Sequence, residues 1–111
     1  AIGEKKIINV ASRRLSSFLK GPVDLLKIDV EGGEYEIMQE AKEKLGFARR
    51  IFLEIHQGEG NANYPIKSLL GILDACGFRY GITSAFLTHH SFISNIRQPY
   101  AFMLDAERPR M

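Results

Sequence analysis

The sequence predicts an α/β fold built on a mostly parallel sheet that ends in an antiparallel strand pair. Three observations carry this reading. Two apolar runs, Val23–Asp29 and Arg50–His56, are each followed by a stretch with apolar residues at helical spacing. A third β-prone stretch, Phe78–Thr83, comes after the second of these helical stretches. A fourth, Tyr100–Leu104, then appears with no helical pattern before it. Strand–helix alternation implies right-handed crossovers and parallel neighbours, whereas strands joined without a helix pair antiparallel.

Each element has a local justification. Ile7–Val10 is a short β-prone stretch. Ser12 is placed to cap a helix whose Leu15, Phe18 and Leu19 share one face, with Gly21 and Pro22 as its stop. Val23–Asp29 is apolar almost throughout, the pattern of a strand buried on both faces. From Glu34 to Leu45, Ile37, Met38, Ala41 and Leu45 fall on one stripe. Acidic residues lead that helix, Lys42 and Lys44 lie near its end, and Gly46 stops it; the charge order complements the helix dipole. Arg50–His56 repeats the buried-strand pattern and runs into a glycine-rich loop, residues 57–63. Pro65 opens a helix with Ile66, Leu69, Leu70, Leu73 and Cys76 at helical spacing, closed by Gly77. Phe78–Thr83 alternates, as a half-exposed strand does. Residues 84–98 read as a long loop, Tyr100–Leu104 as the last strand, and Glu107–Met111 as a frayed tail.

Composition bounds the function classes. With 111 residues the chain is one domain, long enough to bury a core. Its 15 basic and 13 acidic residues are interspersed, so nothing marks a nucleic-acid or membrane surface. The pairs Arg13–Arg14 and Arg49–Arg50 are too short for a phosphate-binding patch and read as solvated ends. A single cysteine, Cys76, excludes an internal disulfide and reads as core. The chain contains no apolar run long enough to span a membrane and no signal-peptide pattern at its start, which sets a cytoplasmic expectation.

The chemistry concentrates where the first apolar run stops. Asp29 and Glu31 stand at its end, Gly32 and Gly33 follow, and a helix begins at Glu34. Ligands of open α/β sheets bind at the carboxyl ends of the strands, so carboxylates there are candidates for holding a substrate or cofactor. If the two apolar runs are neighbours, Glu54 and His56 of the second come to the same edge, on one face of their strand. Lys27 and Glu54 also have a plain reading, as a structural ion pair. Asp29 could equally cap the next helix. The glycines suit a tight turn, a close ligand approach, or both. His56 reads either as an acid/base group or as a hydrogen-bonded residue at a strand end. The Asp, Glu and His types would suit a divalent metal, but the spacing matches no known metal signature, so none is assigned. His89 and His90 read as surface loop residues.

The segment Val23–Met38, VDLLKIDVEGGEYEIM, resembles the signature of the FkbM-type methyltransferases. The family core, Lys-Ile-Asp-Val-Glu-Gly, a small residue and Glu, is matched by Lys27 to Glu34. The second strand with its Glu and His, Ile51–His56, fits as well. The resemblance implies a partial class I methyltransferase, or Rossmann-like, fold and methyl transfer from S-adenosylmethionine to a hydroxyl of a small molecule or sugar. It implies catalytic roles for Asp29, Glu31, Glu54 and His56, and cofactor contacts from Asp29, Gly32 and Gly33. It covers the C-terminal portion of such a domain. The glycine-rich cofactor turn has no counterpart here, which predicts little activity or cofactor affinity in these residues alone. Two rivals are a non-enzymatic half-domain and metal-dependent phosphoryl or hydrolytic chemistry at Asp29 and Glu31. An uncovered edge on Val23–Ile28 further predicts pairing with a second copy of the chain.

Overall fold

A computed structural model describes residues 5–30, 32–57, 65–87 and 100–109. The strands are β1 (Val23–Ile28), β2 (Ala48–Gln57), β3 (Arg79–Leu87) and β4 (Tyr100–Glu107). Two α-helices, α1 (Glu34–Ala41) and α2 (Ile66–Ala75), connect the first three, and short 3-10 turns occupy Leu15–Ser17 and Leu45–Phe47. The sheet order is β1-β2-β4-β3. β1 and β2 are parallel, and β4 is antiparallel to both β2 and β3. The last two strands are thus antiparallel neighbours, as the sequence pattern predicts. The crossover through α2 leaves a gap one strand wide between β2 and β3, and β4 fills it.

Both helical crossovers step in the same direction along the sheet, so right-handedness puts both helices on the same face. The core lies between that face and the helices. Ile51, Leu53 and Ile55 of β2 and Phe102, Leu104 and Ala106 of β4 are buried against Met38 and Ala41 of α1 and Leu69 and Leu73 of α2. Among the described residues no helix covers the opposite face. This corrects the expectation for β1: only Ile28 is buried, and Leu25 is 55% exposed. The apolar run is an edge strand covered on one side, and its register on β2 runs from Val23↔Ala48 to Ile28↔Leu53.

α2 ends as its sequence dictates. Gly77 adopts a left-handed φ of 82°, its N–H bonds Asp74 O at 3.0 Å, and the Phe78 N–H reaches back to Leu73 O at 3.0 Å. That pair of bonds is a Schellman stop. α1 is shorter than expected. Past Ala41 the chain tightens, with Lys44 N–H on Ala41 O at 2.8 Å, and a 3-10 turn buries Leu45 before β2 begins.

The N-terminal helix does not form. Only Leu15–Ser17 is helical, and Arg14, not Ser12, occupies the cap position. Ser17 Oγ donates to Arg14 O at 2.6 Å, while Ser16 bonds Glu40 of α1 through its N–H and its hydroxyl. Serine hydroxyls compete with helix formation by such bonds. Leu19 is buried but Phe18 is exposed, so the expected apolar face is split. Ile7–Val10 forms no strand; Ile7 is 90% exposed, with no pleated surface to pack against.

Both C-terminal strands outrun their sequence signals. β3 extends through Leu87, with a register shift between Ile82 and Ser84, and β4 through Glu107. The tail beyond is held as far as Arg108. Its N–H donates to Arg49 O at 3.0 Å, its Nε to Ala48 O at 3.2 Å, and its guanidinium stacks 5.8 Å from the Phe78 ring centre. Residues 88–99, with His89 and His90, and the loop glycines Gly58 and Gly60 lie outside the described residues.

Candidate functional site

The parallel register assembles the site. Ile28 pairs with Leu53, so the next residues along, Asp29 and Glu54, come side by side where β1 ends. His56 lies two residues further along β2, on the side of the strand that carries Glu54. Asp29, Glu54 and His56 each offer a polar atom within 4.8 Å of the others. The structure thus brings together three of the four acidic and histidine candidates. Glu31 lies outside the described residues.

A residue that falls in the matched core, but has no role assigned from the sequence, holds His56 in place. Glu34, the first residue of α1, is fully buried. Its Oε1 accepts the Gly32 N–H at 2.9 Å and lies 2.8 Å from His56 Nδ1. Carboxylate oxygen accepts, so Nδ1 carries the proton and Nε2 faces outward, 3.6 Å from Glu54 Oε1. The sequence does hold a signal for this role. Glu34 sits four, seven and eleven residues before Met38, Ala41 and Leu45, on the stripe that packs into the core. A carboxylate on a buried stripe needs partners.

The two glycines do different work. Gly32 has φ 109°, which other L-residues rarely adopt, and is buried, its N–H committed to Glu34. Gly33 has an ordinary φ of −96°, and a Cβ there would meet Val30 and Glu36 at normal contact distances of 3.7 and 3.8 Å. Its N–H closes the turn on Val30 O at 3.4 Å.

The electrostatics follow from this crowding. Glu54 is pushed above the usual carboxylate range, first by its hydrogen bond with Asp29, then by burial and by the Asp29 charge, against the pull of His56 and Lys27. For His56, burial opposes the charged form. The bond to Glu34 and the charges of Glu34, Glu54 and Asp29 outweigh it, and the imidazole is raised. The Lys27–Glu54 ion pair expected from the sequence does not form: Lys27 is exposed and acts on Glu54 only through space. Strand alternation puts the two groups on one face, but the register sets Lys27 beside Phe52, one step short of Glu54.

A cleft of about 560 Å³ runs along β1 toward this site, walled by Leu15, Phe18, Leu26, Ile28 and Ile37, with Arg13, Lys27 and Asp29 as its charged lining. Cys76 is half-buried on α2, its Sγ 3.3 Å from Lys42 O. No helix among the described residues is long and apolar enough to cross a membrane.

Residues 2–80 match the family model of the methyltransferase FkbM domain, and the chain belongs to that family. Methyl transfer is the activity this kinship indicates. The match spans β1, α1, β2 and α2, with Asp29, Glu34, Glu54 and His56 inside it, and ends at the start of β3. No curated protein and no solved structure matches the chain.

Proposed function

We propose that the chain carries the acceptor side of an S-adenosylmethionine-dependent methyltransferase acting on a hydroxyl of a small molecule or sugar. The observation that supports this most is the convergence of Asp29, Glu54 and His56 at the carboxyl ends of two parallel strands, with His56 oriented from behind by Glu34. The mixed sheet, with one parallel and two antiparallel pairings, is compatible with the class I methyltransferase fold.

The residues present suit part of the cofactor. The cleft along β1 has the volume of a small-molecule site and an apolar wall, and its charged lining is one carboxylate, Asp29, with two cations, Arg13 and Lys27. Asp29 would hold a cationic group of S-adenosylmethionine there, beside the apolar wall. When bound, that cofactor supplies an electrophilic methyl group. The chain's own part is to bind the acceptor hydroxyl among Asp29, Glu54 and His56 and to receive the proton that the oxygen gives up as it is methylated. Glu34 keeps His56 in one tautomer, so that Nε2 is the nitrogen available to that oxygen. Restricting the hydroxyl to one position is itself a large part of catalysis.

The test is methyl transfer from labelled S-adenosylmethionine to a panel of sugar and small-molecule hydroxyls, using the longest natural chain that contains these residues. Asp29→Asn should lower turnover by about a hundredfold or more with an unchanged circular dichroism spectrum. Turnover equal to wild type in the folded variant would give Asp29 a purely structural role. A second reading, self-association through a sheet edge, has one observation behind it. β1 is the outer strand and exposes Leu25, and Ile7–Val10 does not pair with it.

A further inference from the structure

We propose that Asp29, Glu54 and His56 form a binding site for a divalent transition-metal cation of the manganese or zinc kind. The inference goes beyond methyl transfer and does not depend on it, since a cation can bind here whatever reaction the family carries out.

Distance is the first argument. Two donor atoms bound to one such cation at about 2.2 Å lie about 3 Å apart when adjacent and about 4.4 Å apart when opposite. His56 Nε2 and Glu54 Oε1 are 3.6 Å apart, and one ligand atom from each of the three residues falls within 4.8 Å of the other two. These separations are close to those of donors that share one ion. Glu54 and His56 come from one strand and Asp29 from the end of its parallel neighbour, so the set stands on the sheet.

The second argument is the support behind the histidine. A metal-binding imidazole usually donates its other ring N–H to a carboxylate, which fixes the ring and makes the ligating nitrogen more basic. Glu34 is that carboxylate, 2.8 Å from Nδ1, and it is itself anchored by the Gly32 N–H at 2.9 Å. With Nδ1 committed to Glu34, Nε2 is the ring nitrogen left for an ion, 3.6 Å from Glu54 Oε1.

The third argument is charge. Asp29 and Glu54 stand next to each other, and among the described residues no lysine or arginine forms an ion pair with either; Lys27 stays in solvent. A dication supplies what the pair lacks. One imidazole and two carboxylates favour manganese or zinc, whereas magnesium takes oxygen ligands and keeps most of its water. Asp29 is exposed and the other two are partly exposed, so further coordination positions stay open to water or to an acceptor oxygen. A cation and a bound hydroxyl are therefore compatible.

The experiment is titration of the metal-stripped chain with MnCl2, followed by loss of the free-ion electron paramagnetic resonance signal, and with ZnCl2 by calorimetry. One ion should bind per chain, and MgCl2 should compete poorly. Asp29→Asn and His56→Ala should each weaken binding by about tenfold or more. Glu34→Gln, which removes no ligand, should also weaken it, by about tenfold to a hundredfold. Arg50→Ala, at the other end of β2, should leave binding unchanged. Asp29 is at the surface, so its variant keeps the test decisive if Glu34→Gln folds poorly. No binding of either ion at millimolar concentration, or equal binding by wild type and Asp29→Asn, would overturn the proposal.

Discussion

The two ends of β2 both carry charged groups, arranged in opposite ways. At the amino end, Arg50 reaches across to Asp105 of β4, with Nε 2.9 Å from Oδ1 and Nη2 on Oδ2. One cation meets one anion in a two-point contact. The bond and the charge of Arg50 hold the Asp105 carboxyl below its usual range, although burial opposes this. A cleft of about 440 Å³ lies alongside, but its Arg50 and Asp105 are already matched to each other. At the carboxyl end, three carboxylates surround a single imidazole, and one of them is wholly buried. That end is left with negative charge to share. A self-satisfied pair needs no further partner, whereas an unbalanced cluster held on rigid strands is open to one. The contrast is the physical ground for proposing the carboxyl end as the chemical end of the sheet.

Removing Glu34 should widen that contrast most. Glu34→Ala strips partners from His56 Nδ1 and the Gly32 N–H in a buried place and should cost about 3 kcal/mol, measured by urea denaturation. A loss below about 0.5 kcal/mol would mean that water replaces the carboxylate and the site is looser than described.

The glycine turn should show the next largest effect. Gly32→Ala must hold an alanine at φ 109° and should lose about 1–2 kcal/mol, while Gly33→Ala should be nearly neutral. Equal losses in the two variants would contradict the assigned backbone.

The pH dependence should be gentler. His56 has its folded-state pKa raised above the ordinary value, so its stabilising contribution is complete below about pH 6.5 and disappears as pH rises through the raised value. Glu54, also raised, acts with the same sign, but from the carboxylate range. Urea midpoints should therefore decline from mildly acidic to mildly alkaline pH, and the decline should vanish in His56→Gln. A decline that persists there would assign the titration to another group. Arg50→Ala should change the midpoint least, by a small shift at neutral pH, because the Arg50 side chain is half-exposed although Asp105 is only 22% exposed. A clear drop would show that the amino end of β2 contributes more than an exposed ion pair should.

Much of this was legible in the sequence, for reasons that can be named. The strand–turn–helix pattern around Asp29 and the Glu-x-His of β2 are local signals, and parallel pairing alone brings them to one edge. Glu34 escaped notice because acidic residues are ordinary at a helix start; only its place on the Met38 and Ala41 stripe gives it away. An apolar run does not reveal how many of its faces will be covered, so β1 reads as buried on both faces and folds covered on one. The lost N-terminal helix turns on serine hydroxyls, whose choice between backbone and Glu40 is made by tertiary structure. Nor does β4 announce its position: its residues say strand and antiparallel, but the gap it fills is created by α2.

That insertion has a consequence for how the molecule is made. Among the described residues, β3 has no hydrogen-bonded neighbour except β4, and the inner edge of β2 has none either until β4 arrives. A nascent chain that has left the ribosome only as far as Leu87 can zip β1 to β2, but its third strand has nothing to join. β4, which follows all its sheet partners in the sequence, is therefore the keystone of the sheet, and the sheet completes itself from the middle by strand capture over a long sequence separation, a slow kind of closure.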